Sequence, residues 1–187
     1  MTITTLDPKT ALIVVDLQKG LLAYPTAQPI SEIIGRAGAL ADAFRGHGLP
    51  VVFVNVAGGA PGRTEQARPR GERPAGWMDL VPELNQQPQD HLVTKRTWGA
   101  FANTGLEAHL KTLGVTQVVI AGVSTSVGVE STAREAHACG FNVTLAIDAI
   151  TDTSAEAHLN SVTRIFPKLG ETGETGEMIA FLDRAPT

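Results

Sequence analysis

The sequence predicts a three-layer α/β/α domain around a mainly parallel sheet, and three observations carry that expectation. Short apolar runs recur along the chain. Two of them, ALIVV at 11–15 and VVIAG at 118–122, are continuous rather than alternating, as strands buried on both faces are. Stretches with helical spacing lie between the runs, so strands alternate with helices, the pattern of parallel strands joined by right-handed crossovers. The length, 187 residues at 43% hydrophobic, suits one domain over residues 1–187 with a sizeable core.

Taken in order, the first strand is Ala11 to Val15. Ile30, Ile33, Ile34, Ala37, Leu40, Ala41 and Phe44 then recur at threes and fours, and His47-Gly48-Leu49-Pro50 closes that helix with Gly and Pro. A second strand is expected at Val51 to Val56 and a third, shorter one at His91 to Thr94. Between them AGGAPGRTEQARPRGERP, residues 57–74, is rich in Gly, Pro and Arg without periodicity, a long loop that either covers a site or is a mobile insertion. Helices follow at Gly105 to Leu113, Ser126 to Cys139 and Ser154 to Phe166, with strands at Val118 to Ala121 and Val143 to Ile147. ETGETGE at 171–177 is too short to count as low complexity, and no element is assigned there.

Net charge is −4 and no basic patch is visible, which argues against nucleic acid or an anionic membrane surface as the main partner and leaves small-molecule chemistry or protein association. MTITTLDPKT has no basic-then-apolar leader pattern, and no apolar run approaches the roughly 20 residues that span a bilayer, so a cytoplasmic protein is expected. The single cysteine, Cys139, cannot close an internal disulfide. His47, His91, His109, His137 and His158 lack metal-ligand spacing, and no metal or cofactor is expected.

Ligands of open parallel sheets collect at the carboxyl ends of the strands, and three such ends offer chemistry. Asp16 follows the first strand, where burial would raise its pKa and make it a usable acid or base; the plain alternative is a cap or a loop-ordering acceptor. Lys95 ends the third strand in HLVTKRTWGAF, within reach of Asp16, unless it is an ordinary exposed lysine. The turn AGVSTSVGVESTAREA, residues 121–136, brings backbone N–H groups and a helix dipole to the same edge. It either forms an oxyanion site or is plainly capped by Ser124, Thr125 or Ser126.

Together ALIVVDLQKG, VTKRTWGAF and AGVSTSVGVESTAREAHACGFNVTLAIDAITD resemble the isochorismatase-like hydrolase superfamily, in order and spacing, over nearly the whole chain. The resemblance implies a six-stranded Rossmann-like sheet, a homodimer or homotetramer, and an Asp, Lys, Cys triad. It also implies a cis peptide at Val123–Ser124 that aims an N–H into an oxyanion hole. Asp16 and Lys95 match that triad, but Gly128 stands where the nucleophile belongs. Cys139 lies eleven residues further on, roughly 16 Å along a helix, and is a packing residue. Thr125, Ser126 and Ser131 have no recognisable histidine base, which argues against a serine mechanism. Asn55-Val56-Ala57-Gly58 replaces the Asp and paired His of nicotinamidases, so their metal is not implied.

True isochorismatases likewise lack the cysteine. The resemblance therefore implies a small-molecule hydrolase in which Asp16 donates a proton, Lys95 positions the substrate or stabilises charge, and Gly128 leaves room for a bulky substrate or a water. Val123, Ser124 and Gln18 are expected to face the substrate. Trp98 and Phe101, in RTWGAF, would form an apolar wall, the plain alternative being core or subunit interface. The competing reading is a non-catalytic small-molecule-binding or scaffolding descendant of a cysteine amidase.

Overall fold

The computed structural model describes residues 3–60, 62–65 and 73–184. Six strands form one parallel sheet in the order β3-β2-β1-β4-β5-β6, comprising β1 (Thr10–Val15), β2 (Val51–Val56), β3 (His91–Lys95), β4 (Gln117–Val123), β5 (Asn142–Thr151) and β6 (Glu171–Gly173). The central β1 shows why its sequence is apolar throughout. Leu12 and Val14 pack with α1 (Ile30–Gly46) and α6 (Thr175–Arg184), while Ala11, Ile13 and Val15 pack on the other face. That second face is covered by α2 (Leu106–Thr112), α3 (Glu130–Ala138) and α5 (Phe166–Leu169). The α/β/α layering and parallel sheet agree with the sequence reading. Among the described residues no helix is long and apolar enough to cross a membrane.

Three local features depart from that reading. The short β6 is polar and pairs only with Thr144–Ala146 at the sheet edge, so it carries no apolar period, and α6 buries only Thr175, Met178 and Leu182. The helix expected over 154–166 is broken into α4 (Ala155–Asn160), a π turn at Ser161–Ile165 and α5. Pro167 accounts for the break, since it lacks an N–H and its ring crowds the carbonyl four residues back. A second π turn, Thr125–Val129, opens α3 and carries Gly128. Of the 57–74 loop, residues 61 and 66–72 lie outside the described residues, and with them most of the segment expected to cover a site.

Register aligns the strand ends that matter. Val15 lies opposite Val54 of β2 and Gly122 of β4, and Val56 lies opposite Lys95. The carboxyl ends of β1, β3 and β4 thus open on one edge.

Candidate active site

Asp16 follows β1 directly. Its N–H donates to the Val54 carbonyl at 2.8 Å, and its φ of 56° turns the chain out of the sheet while leaving the side chain inside. Lys95 Nζ lies 2.8 Å from Asp16 Oδ2 and also donates to the Trp98 carbonyl at 2.5 Å. Both side chains are nearly sealed from water, at 7% and 1% exposure. Two effects oppose each other at the carboxyl group. Burial disfavours its charge while Lys95 favours it, and burial wins, pushing the Asp16 pKa from 3.8 to about 6.

The two carboxylate oxygens are not equivalent. Oδ2 is held by Lys95, whereas Oδ1 is buried without a hydrogen-bond partner among the described residues. A buried polar atom left in this state costs about 1–3 kcal/mol and asks for an explanation. Oδ1 is where a transferable proton would sit.

Gly128 faces this pair and is itself buried. A Cβ built on it would lie 2.9 Å from the Val123 carbonyl oxygen, 3.1 Å from Asp16 Oδ2 and 3.1 Å from Val15 Cγ1. The expectation of spare room at this position is therefore corrected: backbone and carboxylate have closed onto the glycine, and even a methyl group requires the Val123 carbonyl to move.

The turn itself is held by polar contacts that sequence reasoning missed. The Val123–Ser124 peptide is cis, and the Ser124 carbonyl accepts from the N–H groups of Val127 and Val129, each at 3.1 Å. None of the three hydroxyls caps the helix in the way the sequence allowed. Ser124 makes no side-chain cap, and Ser126 donates both its N–H (2.7 Å) and its hydroxyl (2.8 Å) to Asp152 Oδ2. Thr125 Oγ1 lies 2.9 Å from His158 Nδ1, so for Thr125 the reading that the hydroxyl lacks a histidine partner is overturned. On its other side His158 Nε2 is 3.3 Å from Gln28 Nε2, and burial holds the imidazole below its ordinary pKa. The available signal was positional: Asp152 follows β5, another strand end on this edge, and His158 sits one turn into α4.

The structure also places three further residues that the sequence singled out. Gln18 is fully buried and spent on the backbone: its amide nitrogen donates to the carbonyls of Val56 and Trp77, each at 3.2 Å, and its oxygen accepts from Val56 N–H at 2.7 Å. It ties β1 to β2 and leaves no polar atom for substrate. Phe101 is core, 7% exposed and packed on Phe141 at 5.8 Å, because Glu135 accepts from the N–H groups of Phe101 and Ala102 and draws that loop onto α3. Trp98 is 66% exposed, and its carbonyl accepts from Lys95 Nζ. Among the described residues no group of three or more His, Cys, Asp or Glu side chains converges on a metal position. Cys139 is partly buried beside the core, and burial raises its thiol pKa.

A parallel α/β sheet with a buried carboxylate–ammonium pair and a tight glycine turn at its carboxyl edge defines an α/β scaffold with a candidate site at Asp16 and Lys95. The chain belongs to the isochorismatase family, for residues 10–177 match the isochorismatase domain. It is 41% identical over 178 residues to the isochorismatase family protein YwoC of Bacillus subtilis, covering 91% of this chain and 93% of that one. The solved structure of an isochorismatase family protein from Burkholderia thailandensis superposes with a TM-score of 0.93 at 36% identity, covering 97% of this chain and all of the other. A more distant relative, the ureidoacrylate amidohydrolase RutB of Pseudomonas syringae pv. syringae, is 31% identical over 169 residues, 74% of this chain and 69% of that one.

Proposed function

We propose that this isochorismatase-family chain is a hydrolase that cleaves a vinyl ether by proton donation from Asp16, without a covalent intermediate. The observation that carries the reading is the buried Asp16–Lys95 pair, with the carboxyl pKa at about 6 and no side chain at the position facing it. Asp16 Oδ1 delivers its proton to the substrate's methylene carbon. The oxocarbenium ion so formed is captured by water, and the hemiketal collapses to pyruvate and an alcohol. Lys95 holds Oδ2, so the carboxylate left by the transfer is stabilised where it forms. A backbone N–H group of the 124–128 turn, other than those of Ser126 and Val127 that donate to Asp152 and to the Ser124 carbonyl, stabilises negative charge on the departing oxygen.

The likeness to an amidohydrolase supports a second reading, in which ionised Asp16 acts as a base on water attacking an amide. The test is pyruvate release from isochorismate by the native protein beside Asp16→Asn, which removes the proton donor at constant size. Turnover lost in the variant upholds the proposal. Absence of pyruvate from the native protein, together with hydrolysis of a small amide, would replace it by the second reading.

A further inference from the structure

We propose that Glu135 is a positioning residue for the Asp16–Lys95 pair, acting through the loop whose Trp98 carbonyl holds the Lys95 ammonium. This deepens the reading of Asp16 as the acid and rests on it.

The Lys95 ammonium is buried and so needs acceptors, and it has two: Asp16 Oδ2 at 2.8 Å and the Trp98 carbonyl at 2.5 Å. The second stands in an irregular loop that no strand or helix holds. What fixes that loop comes from α3. Glu135 Oε2 accepts from the N–H groups of Phe101 at 2.8 Å and Ala102 at 3.3 Å. The same carboxyl group lies over the buried Gly99, where a Cβ would overlap its carbon and both its oxygens, so the absence of a side chain lets the loop wrap the carboxylate. Thr97 Oγ1 donates to the Gly99 carbonyl at 2.9 Å, which ties the segment held by Glu135 to both neighbours of Trp98.

One helical segment therefore reaches the site twice. The turn that opens α3 sets Gly128 against Asp16, and Glu135, two helical turns or roughly 10 Å further along, holds the Lys95 loop. An ammonium shared between a carbonyl and a carboxylate pulls less on the carboxylate than one given to it alone. Released from Glu135, the loop would take its carbonyl away and let water reach Lys95, and both changes favour the ionised form of Asp16. The other charged and titratable groups around the pair stay as they are: Lys95 is the ion-pair partner of Asp16 among the described residues, Asp152 accepts from Ser126, and His158 lies against Thr125.

The experiment follows the Asp16 carboxyl carbon by 13C NMR as pH is varied, in the full-length protein labelled at aspartate, with the signal assigned through Asp16→Asn. In the native protein it is expected to titrate at about 6. Glu135→Ala should bring that value down by about one pH unit, toward the ordinary carboxylate range. Gly99→Ala, whose methyl displaces the Glu135 carboxyl group but leaves its charge, should do the same. Glu135→Gln, which keeps an acceptor oxygen for Phe101 and Ala102 without the charge, should stay within about 0.3 of the native value. An unchanged Asp16 in Glu135→Ala and Gly99→Ala would overturn the proposal. So would a Glu135→Gln value as low as that of Glu135→Ala, which would make the effect one of charge alone. If Glu135→Ala does not fold, Gly99→Ala against Glu135→Gln carries the same comparison. The native value tests Asp16 as the acid and the differences between variants test Glu135, so the two readings fail separately.

Discussion

Asp16 should make the protein less stable at neutral pH than at mildly acidic pH, the reverse of a carboxylate stabilised by its ion pair. In the unfolded chain its pKa is 3.8 and in the folded one about 6, so folding takes up a proton between those values. The stabilising contribution of the neutral acid is fully present below pH 3.8 and is lost as pH rises through about 6. Once the group is ionised in both states the cost is about 3 kcal/mol, from 1.36 kcal/mol per pKa unit. Between pH 5 and pH 7 the same linkage gives a loss of about 1.3 kcal/mol. The assay is urea unfolding at both pH values, with Asp16→Asn/Lys95→Met as reference, because the double variant removes the carboxylate together with the ammonium that would otherwise be stranded. The native protein should lose about 1 kcal/mol relative to that reference over this interval. An unchanged difference, or a gain by the native protein, would refute the claim that burial outweighs Lys95 at this site.

Catalysis offers a second reading of the same proton: kcat/KM for vinyl-ether cleavage should be flat below about pH 6 and fall about tenfold per unit above it, whereas use of Asp16 as a base gives the opposite limb. Gly128→Cys should confer no amidase activity, and Gly128→Ala should lower stability by about 1–3 kcal/mol in thermal or urea unfolding, because the Cβ meets the Val123 carbonyl at 2.9 Å. Phe101→Ala should cost about 3–5 kcal/mol as a core truncation, while Trp98→Ala should leave the unfolding midpoint nearly unchanged. Burial, and then neighbouring His109, whose ring stacks on it at 3.8 Å, hold His91 below the ordinary imidazole pKa. Its contribution to stability is present above about pH 6.5 and declines as pH falls, and His91→Phe should flatten that part of the unfolding profile.

The positions of Asp16 and Lys95 were legible because a parallel sheet leaves little choice: a polar residue directly after a buried apolar strand must emerge at the carboxyl edge. Neither Gln18 nor Phe101 could be placed by that rule. Gln18 looks like a polar residue near a site, and its burial depends on carbonyls at 56 and 77 that only the folded chain brings to it. Phe101 sits in an irregular loop, where no period distinguishes it from Trp98 three residues earlier, and its direction is set by Glu135 on α3. Thr125 and His158 are 33 residues apart, joined only because β5 and α4 return to the turn. The strand β6 is three residues long and has no apolar pattern to read.

Gly128 and the raised pKa of Asp16 belong to one arrangement. A cysteine at 128 would need Asp16 as an ionised base, and would need space for a thiol where the Val123 carbonyl and Asp16 Oδ2 now stand within about 3 Å of the Cβ position. Without a side chain there, the turn packs close against the carboxylate, and desolvation by burial exceeds the pull of a lysine only 2.8 Å away. On the mechanism proposed above, the closeness that leaves no room for a nucleophile also holds the carboxyl pKa at about 6, as a donor to carbon would require. On this argument a side chain at 128 that forced the turn open would admit water, lower the Asp16 pKa and weaken the acid, which makes the missing cysteine a condition of the acid chemistry proposed at Asp16.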